Sequence, residues 1–97
     1  MFEIAFRRAA LVEFEEAVVW YEEQRAGLGE EFVREIDAVI SSLAESPLRC
    51  PLVFGEVRRA VARRFPYSVY FRMRGEKVIV LAVFHARRDP RAWQSRA

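Results

Sequence analysis

The sequence predicts an α+β domain of order β-α-α-β-β-β. A small antiparallel sheet is packed by an N-terminal helical hairpin, and a short C-terminal helical turn closes the chain. Three observations carry this. Apolar residues recur at helical spacing through most of the first half, broken once by a glycine-containing turn. After Gly55 the pattern becomes strand-like alternation. Residues 78–84 are apolar at both parities, as in a strand covered on both faces. The 97 residues suffice for one core and not for two, so residues 1–97 form a single domain.

Each element follows from local spacing. Residues 2–6 alternate apolar with small or polar side chains and read as a short strand. From Arg8 to Arg25, Leu11, Phe14, Val18 and Tyr21 mark one stripe of an amphipathic helix. Glu13, Glu15, Glu16, Glu22 and Glu23 fall on its other faces. Gly27 and Gly29 bracket Leu28, and a glycine just past a helix readily takes the left-handed cap conformation. In the second helix Leu28, Phe32, Ile36, Val39 and Leu43 form the stripe, and Glu30 and Glu31 sit where the helix dipole favours anions. Ser46-Pro47 ends it. A turn this short makes the helices an antiparallel αα-hairpin.

Residues 47–55, with two prolines and a glycine, read as loop. Val57, Arg59 and Val61 share one face of the next strand, with Arg58 and Ala60 on the other. After Phe65-Pro66, residues 67–73 place Val69, Phe71 and Met73 on one side and Ser68, Tyr70 and Arg72 on the other. Arg74-Gly75-Glu76 is a tight turn into the central strand 78–84. Asp89-Pro90 starts a helical turn over residues 91–96.

Composition narrows the function. Hydrophobic residues make up 53% and charged residues 31%, an ordinary soluble globular balance. Cys50 is the one cysteine, which excludes an intrachain disulfide and supports neither a metal site nor a catalytic thiol. The glycines are isolated at 27, 29, 55 and 75, so no phosphate-cradling loop exists and no cofactor is expected. The N-terminus lacks the pattern of a signal peptide, and no apolar run approaches the roughly 18 residues of a membrane span. A cytoplasmic location is expected. Residues 1–55 carry 5 arginines against 11 acids, whereas residues 56–97 carry 10 arginines and 1 lysine against 3 acids. Such a basic half predicts an acidic or polyanionic partner. The alternative is that Arg59 or Arg64 pairs internally with glutamates of the hairpin.

The order of elements and several strings resemble the ParE/RelE toxin superfamily of type II toxin–antitoxin systems. The strings are Trp20-Tyr21-Glu22-Glu23-Gln24, then Gly27-Leu28-Gly29-Glu30-Glu31-Phe32, then Arg63-Arg64-Phe65-Pro66-Tyr67, and finally His85-Ala86-Arg87-Arg88-Asp89-Pro90 with Trp93. The resemblance implies a cognate antitoxin whose partly disordered C-terminal segment folds along the toxin, giving a hetero-oligomer. It also implies one of two targets: DNA gyrase in the ParE branch, or mRNA in the ribosomal A site in the RelE branch.

The RelE route to RNA cleavage needs a base, cations for the phosphorane charge and an acid for the leaving oxygen. By resemblance, Arg59 and Arg88 stand where cations are expected. Val61 and Ser68 replace a lysine and an arginine, and no tyrosine follows Tyr70. A second nuclease style would pair His85 as acid with Glu56 as base, helped by Arg88. The structural reading of His85 is that it caps the last strand by bonding a backbone group or Asp89. The sequence therefore favours a ParE-like toxin that binds gyrase, with an endoribonuclease using His85 and Arg88 as the alternative. Arg58, Arg59, Arg63, Arg64, Arg87 and Arg88 are the expected target- or antitoxin-binding residues, converging on one surface. Trp20, Tyr21 and Phe32 are expected to pack the hairpin, and Trp93 to cover a sheet edge or face.

Overall fold

Helical periodicity becomes two helices, and the alternating segments become one sheet. In the computed structural model, which describes all 97 residues, strand β1 (Glu3–Phe6) leads into helices α1 (Arg8–Gln24) and α2 (Leu28–Glu45). A 3-10 turn at Pro47–Arg49 follows, then strands β2 (Leu52–Phe54), β3 (Val57–Val61), β4 (Tyr67–Arg74) and β5 (Lys77–His85). Helix α3 (Arg91–Gln94) is the C-terminal turn. The sheet order is β1-β5-β4-β3-β2, and no helix is long and apolar enough to cross a membrane.

The expected α+β architecture forms, with two particulars corrected. The sheet is mixed, because β1 pairs with β5 in parallel while every other pair is antiparallel. Parallel neighbours need a long crossover, which the hairpin and three strands supply, and side-chain alternation carries no information about strand direction. The segment 47–55, expected to be loop, contains β2, which folds back on β3 through a turn at Gly55 (φ 55°). A three-residue strand is too short to show a period.

The hairpin packs on one sheet face and α3 on the other. Phe32, Ile36, Leu43, Val69, Phe71, Val78, Val80 and Val83 are fully buried between hairpin and sheet. On the outer face Val57, Leu81, Ala82, Phe84 and Trp93 form a smaller cluster. Strand β5 serves both because its register passes from Tyr70↔Ala82 to Phe71↔Val80, leaving Leu81 as a bulge. That shift reverses the alternation midway, which is why residues 78–84 are apolar at both parities.

The α1 stripe is rotated from the one expected. Ala10, Ala17 and Tyr21 are its buried residues, Phe14 and Val18 pack beside them, and Leu11 is 44% exposed. Alanines at the contact let α1 lie close over β5, so the largest apolar side chains do not mark its inner face. The α2 stripe is as expected. Gly27 takes φ 88° at the turn, and a Cβ on Gly29 would sit 2.9 Å from the Val18 carbonyl oxygen. The Glu22 carboxylate accepts the N–H groups of Gly27 and Gly29, both at 3.0 Å, and so caps α2 from the preceding helix.

Candidate functional site: the cationic end of the sheet

The backbone brings two arginine pairs to one end of the sheet. Tyr67 on β4 stands opposite His85 on β5, and the Ala86 N–H donates to the Pro66 carbonyl at 2.8 Å. The β3–β4 connection carrying Arg63 and Arg64 therefore adjoins the segment carrying Arg87 and Arg88. Beneath them Tyr21, Phe32, Phe65 and Tyr67 form an aromatic cluster with centroid separations of 4.8 to 6.1 Å. Burial raises the Tyr21 and Tyr67 hydroxyl pKa values above their ordinary range.

Hairpin glutamates hold part of this end. Arg64 reaches Glu31 at 2.7 Å, Arg25 reaches the same carboxylate at 3.0 Å, and these bonds lower the Glu31 pKa. Glu35 accepts the backbone N–H groups of both Arg63 and Arg64. Arg88 lies over the Phe84 ring at 4.2 Å and bonds Glu13 at 3.0 Å. The exposed side chains of Arg63 and Arg87 enter no ion pair.

Glu13 is the centre of a clasp. Strand β1 covers β5 only as far as Val80, where the Arg7 N–H donates to its carbonyl. Beyond that point Glu13 accepts the Val83 N–H at 3.1 Å, and Arg96 donates to the Leu81 carbonyl at 3.0 Å. Two Arg96 nitrogens also donate to Glu13, at 3.0 and 2.9 Å. The Glu13 side chain is only 10% exposed. Side chains here supply the partners that an adjoining strand would have given.

The expected single arginine surface does not form. Arg63, Arg64, Arg87 and Arg88 share an end, with Arg64 and Arg88 bound to the hairpin. Arg58 lies on the hairpin side of β3 and donates to the Cys50 carbonyl at 2.6 Å and to the Leu48 carbonyl. Arg59 lies on the opposite face beside Tyr70. Internal pairing with the hairpin holds for Arg64 and not for Arg59.

The proposed acid–base pair does not form either. Glu56 lies two residues before Arg58, the partner of Phe71, and so is near the level of Met73. His85 is level with Tyr67, about 20 Å away at the usual rise per strand residue. His85 Nδ1 instead accepts the Arg87 N–H at 3.0 Å, and its ring packs edge-on against Tyr67 at 5.2 Å. This is the capping role the sequence suggested. A cleft of about 250 Å³ does join His85 and Arg88 with Glu16, Ala17, Trp20 and Tyr67. No three His, Cys, Asp or Glu side chains are grouped to hold a metal.

The aromatic expectations divide. Tyr21 and Phe32 are buried, whereas Trp20 is 55% exposed and touches Tyr21 edge-on. Trp93 covers the outer sheet face, stacked on Tyr70 at 4.1 Å and 19°. Asp89 accepts the Arg91 N–H and pairs with its guanidinium, which lowers the Asp89 pKa, and α3 begins one residue after Pro90.

Sequence reasoning missed Glu13 and Arg96. Glu13 is expected off the apolar stripe of α1, yet it stands three residues after Ala10 and four before Ala17, on the buried face. A carboxylate within a stripe of alanines was the available signal. For Arg96 no local signal exists.

Residues 4–90 match the family described as ParE toxin of type II toxin–antitoxin system, parDE. A comparison with curated proteins gave no match. Among solved structures, the chromosomal ParDE system from P. aeruginosa superimposes with TM-score 0.78 at 19% identity, over 88% of this chain and 96% of that one. The intact E. coli RelBE toxin–antitoxin complex gives 0.67 at 19% identity, over 91% and 100%. Isolated E. coli RelE gives 0.67 at 18% identity, over 98% and 95%. At these identities the structures establish a shared fold, and the match along residues 4–90 establishes the lineage. The chain belongs to the ParE toxin family of type II toxin–antitoxin systems.

Proposed function

We propose that this chain arrests growth by binding DNA gyrase in the cytoplasm, and that a cognate antitoxin holds it inactive. The observation that carries the choice of binding over catalysis is the disposition of the candidate catalytic groups. His85 Nδ1 is held by a backbone bond, Glu56 lies at the other end of the sheet, and Arg88 is tied to Glu13, which it shares with Arg96. General acid–base chemistry needs its groups within hydrogen-bond reach of one substrate. Arg63 and Arg87 remain exposed and unpaired, as a surface that meets an acidic or phosphate-bearing target requires.

Expression without antitoxin tests this. Filamentation with induction of the SOS response, and intact A-site mRNA, is the expected outcome. His85→Ala should leave the arrest unchanged. Codon-positioned mRNA cleavage abolished by His85→Ala would replace this reading with the endoribonuclease one, for which the cleft shared by His85 and Arg88 is the favouring observation.

A further inference from the structure

The cleft beside His85 has an apolar floor and two chemically different walls. Ala17 and Val83, 5% and 1% exposed, close its bottom. Helix α1 forms one wall with Glu16 and Trp20, which stand four residues apart and so share a helical face. The strand ends form the other wall with Tyr67, His85 and Arg88. The volume of about 250 Å³ lies below the range of drug-sized ligand sites and suits a single planar ring system.

The two walls differ in hydrogen-bonding sign. Glu16 is exposed and enters no ion pair, so its carboxylate is a free acceptor. Glu13, which also borders the cleft, has both oxygens filled by the Val83 N–H, Arg88 and Arg96. On the strand wall, His85 Nδ1 accepts the Arg87 N–H, which leaves the ring proton on Nε2 as a donor. Arg88 gives Glu13 only its Nη1, so its remaining guanidinium N–H groups are donors as well. Trp20, 55% exposed, offers an open ring face.

Guanine has the matching polarity. Its N1–H and N2–H₂ groups form a paired donor edge that a carboxylate accepts, and its O6 and N7 form an acceptor edge that arginine and histidine donors meet. Adenine instead presents an acceptor at N1, which a carboxylate repels. We propose that the cleft binds a free guanine nucleotide. The base stacks on Trp20, its donor edge meets Glu16, and its acceptor edge meets Arg88 and His85. Arg87, exposed and in no ion pair, receives the phosphate. Nucleotide binding is measurable on the isolated chain whether or not that chain inhibits gyrase, so the two readings fail separately.

The test titrates the full chain with GMP, AMP and CMP. GMP should quench Trp20 fluorescence, while Trp93, buried on the outer sheet face, supplies a constant background. By calorimetry AMP and CMP should bind about tenfold more weakly than GMP, or weaker still. Glu16→Gln should erase that preference by weakening GMP about tenfold, and Trp20→Leu should weaken all three nucleotides. Both positions are exposed, so the melting temperature should stay at the native value. Arg74→Gln, at the far end of the sheet, should change nothing, which separates recognition from general attraction of phosphate. Equal binding of GMP and AMP, no binding at millimolar concentration, or full GMP binding by Glu16→Gln would overturn the proposal. A thymidine strand bearing one guanosine that binds about tenfold more tightly than GMP would assign the cleft to nucleic acid and overturn it equally.

Discussion

The two sides of the sheet face the same difficulty and meet it differently. At the β5 side, β1 stops at Phe6, and Glu13 and Arg96 occupy the backbone row beyond it. At the β2 side the row is bare and flanked by exposed apolar side chains. Unsatisfied backbone groups that are partly buried cost free energy, whereas those facing water do not. The plugged side is therefore a stability device that ties the C-terminal segment to α1, and the bare side carries no such plug.

If that contrast holds, Glu13→Ala should have the largest effect. It strands Arg96 and the Val83 N–H and frees Arg88, at about 3 kcal/mol for a broken, largely buried ion pair. In a domain this size that lowers the melting temperature by roughly 15 °C, readable by circular dichroism. Unchanged melting would show the clasp to be incidental. Gly29→Ala comes next. The added methyl meets the Val18 carbonyl oxygen at 2.9 Å, and overpacking of this kind costs about 2 kcal/mol in urea unfolding.

Acid should weaken the hairpin end selectively. Arg64 first, and then Arg25, lower the Glu31 pKa below its ordinary 4.5, as Arg91 does for Asp89 below 3.8. A depressed carboxylate contributes stability that is present above its unfolded value and is lost as pH falls through the folded one. Denaturation midpoints should therefore hold at neutral pH and decline below about pH 4.5. In Arg64→Gln that acid-dependent part should shrink. At the bare side the smallest effect is expected: Val53→Lys should change stability by less than about 0.5 kcal/mol, as for other exposed positions. A large loss there would mean that β2 supports the fold, and the contrast between the two sides would fail.

Most of the fold was legible because one period governs each segment. The α2 stripe, the β4 alternation and the doubly covered β5 follow from side-chain spacing, since each face meets one environment. What remained illegible depends on partners distant in sequence. The parallel pairing of β1, the three-residue β2 and the carbonyl partners of Arg58 all needed coordinates. Arg58 is instructive. Alternation separated it from Arg59, yet charge alone grouped the two, and only the carbonyls of Leu48 and Cys50 reveal its structural use. The capping alternative for His85 was legible because its neighbour two residues on supplies the donor, a local relation.

Purified gyrase and a relaxed plasmid, incubated with the antitoxin-free chain, test the binding account most directly. Supercoiling should fall and cleaved plasmid accumulate, equally with the native chain and with His85→Ala, while added mRNA and ribosomes yield no fragments. Undiminished supercoiling together with mRNA cut at defined codon positions would contradict it.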